Sequence, residues 1–106
     1  VTCVVKFYSN QCHLCHALQK YYIDIADEYA LDRNIVFYAY NMDDDPSIQK
    51  MLKFEGVPTI AVVNPNPGRS QKKLSNFKIL EEPESPHEKT WYRVRDIKNL
   101  IEEEKI

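Results

Sequence analysis

Two cysteines separated by two residues, Cys12-His13-Leu14-Cys15, with His16 directly after them, form the densest chemistry in the sequence. The spacing is too short to staple distant elements together, but it suits a reversible local disulfide or metal ligation. As a redox dithiol, Cys12 belongs at a helix N-terminus, where unpaired N–H groups and the macrodipole stabilise a thiolate and lower the thiol pKa. Cys15 then sits one turn later and faces inward. The outer thiolate attacks a substrate disulfide, and the inner thiol resolves the mixed disulfide. The same letters, Cys-x-x-Cys-His, match covalent haem attachment with His16 as axial ligand, a chemistry usually housed in a small all-helical fold. A zinc site could draw on two thiolates and two imidazoles, within one chain or shared between chains. His13 and His16 adjoin their cysteines, however, and one helical turn does not easily aim all four at one tetrahedral centre. Two unreactive, buried cysteines are the remaining alternative.

The elements around the motif decide among these. Residues 2–8 are rich in β-branched and aromatic side chains and end at Ser9-Asn10, the pattern of a buried strand reaching a turn. From Cys12 onward, Leu14, Leu18, Tyr21, Tyr22, Ile25, Ala26 and Tyr29 recur at three and four, which predicts an amphipathic helix of about 18 residues. Asp32-Arg33-Asn34 breaks it, and Ile35–Tyr40 is a second strand. Asp43-Asp44-Asp45-Pro46 has the look of a cation site, but Asp45 as N-cap with Pro46 at the first helical position is the ordinary start of a helix. That helix carries Ile48, Met51 and Leu52 on one face and ends near Lys53. Ile60–Val63 is a third strand, closed by the turn-rich Asn64-Pro65-Asn66-Pro67-Gly68; Leu74–Leu80 reads as a weak strand and Glu81–Pro86 as an acidic loop. Val94, Ile97, Leu100 and Ile101 mark a last helix over 94–104. A strand thus enters the motif and more strands follow, which favours the redox dithiol. Alternating βαβα implies an α/β fold, with parallel strand pairs and helices packed on the sheet.

Composition narrows the function classes. With 106 residues the chain is expected to form one domain over 1–106. Fourteen Lys and Arg against 16 Asp and Glu give a net charge of −2, scattered rather than massed, which disfavours nucleic acid as a partner. The longest apolar run, Ile60-Ala61-Val62-Val63, is far too short to cross a bilayer, so a soluble protein without a membrane partner is expected. The N-terminus carries neither a basic n-region with an apolar h-region nor an Arg-rich leader, so any targeting segment is expected to have been removed already or never to have existed. Val1 fits either a chain whose initiator Met was removed or a domain excised from a longer one, and Cys3 makes the cysteine count odd, unlike a secreted disulfide framework. A cytoplasmic location is the expectation; a lumenal or periplasmic domain of a larger protein is the alternative.

Val4-Val5-Lys6-Phe7-Tyr8-Ser9-Asn10-Gln11-Cys12-His13-Leu14-Cys15 resembles the active-site strand and turn of the thioredoxin superfamily, and Gly56-Val57-Pro58-Thr59 resembles its loop carrying a cis-proline beside the dithiol. Asn41-Met42-Asp43-Asp44-Asp45-Pro46 is similar to the segment between them, so the likeness covers about residues 2–64. It implies a thioredoxin-like fold, a central mixed sheet of about four strands flanked by helices. It also implies a monomeric oxidoreductase of protein disulfides that needs no cofactor or metal and is served by a thiol reductant or dithiol reductase. In that family Cys12 is the nucleophile and Cys15 the resolving thiol. Val57 and Pro58 form the substrate groove with Gln11, which replaces the usual aromatic, at its rim. From the sequence alone Val57-Pro58 is an X-Pro bond, for which cis is the minority state. The departures are equally informative. Lys6 occupies the place of the family's buried acid, and Ala39 that of its partner lysine. No Gly-Gly-Asp-like segment follows Pro58, so the glutathione-binding pattern is missing. An extra N-terminal strand and helix have no room, which brings the outline closer to glutaredoxin.

Other side chains follow from their types. His13, as an imidazolium, and Leu14, between the cysteines, tune the dithiol. Strand alternation puts Lys6 on the face of Val4 and Tyr8; its ammonium either favours the Cys15 thiolate, or reaches water while its stem packs on the sheet. Cys3 reads as a small hydrophobe, His16 and His87 as surface residues, and Tyr21, Tyr22, Tyr29, Tyr38 and Tyr40 as core or half-buried. Trp91-Tyr92 is expected to pack the last helix. A redox-inactive module that holds a peptide in the same groove, with the dithiol as a metal site or unused, is the reading from a different class.

Overall fold

A computed structural model describes residues 1–45, 47–54, 56–64 and 77–105, leaving aside the side chains of Leu52 and Phe77. The elements run β1 (Thr2–Tyr8), α1 (His13–Glu28), β2 (Ile35–Asn41), α2 (Ser47–Leu52), β3 (Thr59–Val63), β4 (Phe77–Ile79) and α3 (Val94–Glu104). The four strands form one mixed sheet in the order β2-β1-β3-β4. β1 runs parallel to β2 and antiparallel to β3, and β4 lies antiparallel to β3. The α/β order expected from the apolar periodicities is the order observed.

Period-two alternation sends successive side chains to opposite faces of a strand. Val4 of β1 and Ile60 and Val62 of β3 join Leu18, Tyr22 and Ile25 of α1 and Ile97, Leu100 and Ile101 of α3 in one core. On the other face Phe7 and Ala61 meet Met42 and Phe54, with Ile48 of α2 against them. β1 lies between two strands with apolar layers on both faces. Its C-terminal end is therefore a rigid platform for whatever follows Tyr8.

Several expectations change in detail. α1 has 16 helical residues, and its buried stripe is Cys15, Leu18, Tyr22 and Ile25. Tyr21 falls off the edge of that stripe and is 44% exposed. In the short helix α2, Ile48 packs on the sheet, but Met51 turns away and is 70% exposed. Asp45 does cap α2, accepting the Ser47 N–H at 3.1 Å, while Pro46 lies outside the described residues. So do 65–68 of the expected turn and 74–76 of the weak strand. Because β2 is an edge strand, Tyr38 remains about half exposed at 53%, whereas Tyr40 rests its ring on Phe7 with centroids 5.9 Å apart. Cys3 is half-buried.

Tyr22 ties α1 to the sheet. Its buried hydroxyl donates to the Tyr38 carbonyl at 2.6 Å, with the Val4 carbonyl 3.0 Å away, and burial holds its phenol well above the ordinary pKa. Tyr22→Phe removes this bond while keeping the ring, so urea denaturation should show a loss of about 1 kcal/mol with an unchanged slope. An unaltered midpoint would mean that the hydroxyl contributes nothing to docking α1.

Candidate active site

The site begins where β1 gives way to α1. Ser9, Asn10 and Gln11 turn the chain, and the Cys12 N–H donates back to the Ser9 carbonyl at 3.3 Å. Cys12 has the extended backbone of an N-cap residue, φ −89° and ψ 102°, and its Sγ accepts the backbone N–H of Cys15 at 3.0 Å. The sulfur takes the part that a Ser or Asp oxygen plays at most helix starts. The two cysteines are joined as a disulfide with their Cα atoms 5.2 Å apart. Cys12 is half-buried, whereas Cys15 is fully buried against the sheet. When the pair is reduced, the N–H that caps the sulfur and the positive end of the helix favour a thiolate on Cys12.

Hydrogen bonds to a neighbouring loop fix the turn. The Asn10 N–H donates to Asp43 Oδ2 at 2.8 Å, and Asn41 Nδ2 donates to Asn10 Oδ1 at 3.0 Å. Asn41 Oδ1 in turn accepts the Asp43 N–H at 3.0 Å. His16 closes the set from the helix, its Nε2 lying 2.9 Å from the Asn10 carbonyl, a geometry that assigns the proton to Nε2. His16 is therefore exposed but tied to the turn, not a plain surface residue. The sequence placed Asn41 only within a resemblance, and Asp43 there and in an acidic run. Their positions at the end of one strand and the start of a loop were the available signal, since Asn and Asp side chains bond nearby backbone N–H groups. Gln11 and His13 are exposed on either side of Cys12.

Lys6 lies under this end of α1. It is 1% exposed, and its amine donates to Gln19 Oε1, one helical turn beyond Cys15. The rings of Tyr8 and Tyr22 lie 5.2 and 5.5 Å from the nitrogen. The amine therefore does not reach water as the packed-stem alternative expected: a side-chain amide and two aromatic faces replace solvent. Burial lowers the Lys6 pKa from its ordinary 10.5.

The Val57-Pro58 peptide bond is cis. A cavity of about 570 Å³ is lined by Leu14 from the motif, Phe54, Val57 and Pro58, and Trp91 and Tyr92 from the segment before α3. The structure thus brings Leu14, Val57 and Pro58 together. It adds Trp91, which packs against the core as expected but stays half-buried and also lines this cavity, whereas Tyr92 is buried in the core. Among the described residues no three His, Cys, Asp or Glu side chains gather as metal ligands would.

A family model for thioredoxin matches residues 1–81. The chain belongs to the thioredoxin family. Among solved thioredoxin-family structures, chloroplastic thioredoxin z is 27% identical with a TM-score of 0.52, over 59% of this chain and 54% of its own. Mitochondrial thioredoxin 3 from Saccharomyces cerevisiae, in its oxidised form, shares the fold at 23% identity and a TM-score of 0.52, over 57% and 55%. The J-Trx1 fragment of ERdj5 is 28% identical with a TM-score of 0.52, over 57% and 28%. The chain spans about half the length of the solved thioredoxins it matches. No curated protein sequence matches it.

The buried lysine makes stability depend on pH. The unfolded chain keeps the Lys6 proton up to about pH 10.5, while the native thioredoxin domain releases it at a lower pH. Between those values the unfolded state binds more protons, so stability rises with pH; below both, the full cost of burying the ammonium is present. Replacing Lys6 by Met should flatten the rise and move the urea midpoint upward at neutral pH. Parallel stability–pH curves for wild type and Lys6→Met would contradict this.

Proposed function

We propose that the protein is a thiol–disulfide oxidoreductase that exchanges electrons with protein disulfides through Cys12 and Cys15. The observation that carries this reading is the pairing of a partly accessible sulfur at the N-cap of α1 with a fully buried one a turn later. The two positions suit two different roles.

In the reducing direction, the Cys12 thiolate attacks one sulfur of a substrate disulfide, forming a mixed disulfide and releasing the first substrate thiolate. Cys15 then loses its proton and attacks Cys12 Sγ. The Cys12–Cys15 bond forms, and the second substrate thiolate leaves. Two electrons pass to the substrate, which takes up two protons, one of them from Cys15. Burial keeps Cys15 from competing as the first attacker, and its position one turn along the helix keeps it within reach for resolution.

The cavity beside the motif supports the substrate-binding part. Val57, just before Pro58, is half-buried on its wall, so its backbone is available to pair with an extended segment as an added strand would. Gln11, expected at the cavity's rim, is exposed beside Cys12 and is not among the residues that line it. A positive charge on the exposed His13 favours the Cys12 thiolate, and Leu14 lines the cavity beside it. Lys6, whose amine meets Gln19 one helical turn beyond Cys15, favours the reduced couple whenever it is charged. A thiol reductant or a dithiol reductase regenerates the pair.

Trapping tests the roles directly. Reduced Cys15→Ser protein should accumulate a mixed disulfide with a disulfide-bonded protein such as insulin, seen as a band that dithiothreitol removes, because no resolving thiol remains. Cys12→Ser should form none, and wild type should catalyse insulin reduction by dithiothreitol. If Cys12→Ser traps substrate as well as Cys15→Ser does, the assignment of nucleophile and resolving thiol is wrong.

A further inference from the structure

Trp91 has φ 65°, in the left-handed region that a bulky aromatic rarely adopts. The Tyr92 N–H donates to the Thr90 carbonyl at 2.7 Å, so Trp91 is the centre of a γ-turn of positive φ, the rare and strained form. The turn is locked from outside. Trp91 N–H donates to the His87 carbonyl at 2.8 Å, the His87 N–H donates to the Trp91 carbonyl at 3.0 Å, and Thr90 Oγ1 donates to the Tyr92 carbonyl at 2.9 Å. Glycine would adopt this φ with little strain. Tryptophan instead stores strain and gains a fixed side-chain position, a trade that clusters at functional sites.

That position is on the cavity wall, with Leu14, Val57 and Pro58. Tyr92 anchors the turn from behind, its ring in the core and its hydroxyl donating to the Leu80 carbonyl at 3.2 Å. Trp91 remains half-buried, so part of the indole is left for a ligand.

Charge on the same wall agrees with the aromatic. Glu81 and Glu82 line the cavity and are exposed, with Lys53 the one cation among the described residues that line it. Both also border a neighbouring hollow that contains Arg93 and Arg95, yet neither glutamate is ion-paired among the described residues. The Tyr92 phenol is pushed up to about 12, first by burial and then by the charge of Glu82, so the field of that carboxylate reaches the groove. An indole face and two uncommitted carboxylates are complementary to the same chemistry, a cationic side chain.

We propose that Trp91, Glu81 and Glu82 form a specificity subsite for a lysine or arginine close to the reacting cysteine of an extended substrate segment. This inference rests on the oxidoreductase reading and names the class of disulfide that the site prefers: one flanked by basic residues.

The test uses three disulfide-linked peptides that differ only in carrying Arg, Gln or Glu near the cysteine, with neutral 2-hydroxyethyl disulfide as the reference substrate. Reduced protein is mixed with each in single turnover, and thiol release is followed; Trp91, the only tryptophan in the chain, reports binding by its fluorescence. At low salt the Arg peptide should react about five- to tenfold faster than the Glu peptide, with Gln between, and added salt should compress the series. The preference should collapse in a Glu81→Gln, Glu82→Gln double variant, whose exposed positions leave the fold undisturbed. It should fall substantially in Trp91→Gly, which keeps the turn and removes the indole. Equal rates for all three peptides in wild type, or a preference untouched by both variants, would overturn the subsite while the reference substrate is still reduced. A protein that reduces neither the peptides nor the reference would overturn the oxidoreductase reading itself.

Discussion

The rest of the site depends on one hydrogen bond, from the backbone N–H of Cys15 to the sulfur of Cys12 at 3.0 Å. It makes Cys12 the N-cap of α1 and so puts a sulfur where a helix concentrates its unsatisfied donors. The bond can form only if β1 ends at Tyr8, the three following residues turn, and α1 starts with its inward stripe aimed at the sheet. Cys15 belongs to that stripe, with Leu18, Tyr22 and Ile25. One docking event therefore buries the second cysteine and presents the first, and the unlike environments of the two sulfurs are a result of packing.

Positions around this bond favour the site over local stability. A sulfur is a weaker cap acceptor than a serine or aspartate oxygen. Lys6 puts an ammonium into a layer that an apolar residue would fill at lower cost, compensated by Gln19 and two tyrosine faces. Trp91 holds a left-handed backbone conformation, closed by reciprocal bonds to His87. Two of these, Cys12 and Lys6, sit at the motif end of β1 and α1, and Trp91 shares a cavity with Leu14. Departures from local propensity that converge in this way are expected of a functional surface.

Much of this arrangement was legible in the sequence. Helix and strand periods separated cleanly around Cys12, so the dithiol could be placed at a strand-to-helix junction before any coordinates, and the βαβ order led to the sheet. Burial of individual residues was less legible, because it depends on what lies opposite. Tyr21 and Met51 fit the helical spacing, yet both are exposed. The tether of Asn41 and Asp43 to Asn10 joins segments 31 and 33 residues apart, beyond any local pattern. Trp91 packs against the core beside α3 as expected, but that it also lines a cavity was not legible. Its neighbour Tyr92 is core, and the positive φ at Trp91 has no counterpart in the apolar spacing. Lys6 stood open between two readings, since alternation fixes a face but not what meets the amine at its end.

If the Cys12 cap activates the sulfur, the reduced protein must show it in its acidity. The direct measurement is the pH dependence of the alkylation rate at each cysteine, resolved by mass spectrometry of the reduced chain. The account predicts that Cys12 reacts first and titrates well below the free-thiol value of about 8.5, with Cys15 protected. A Cys12 thiol that titrates at or above that value, or a Cys15 that is labelled before it, would contradict the claim that the start of α1 makes the nucleophile.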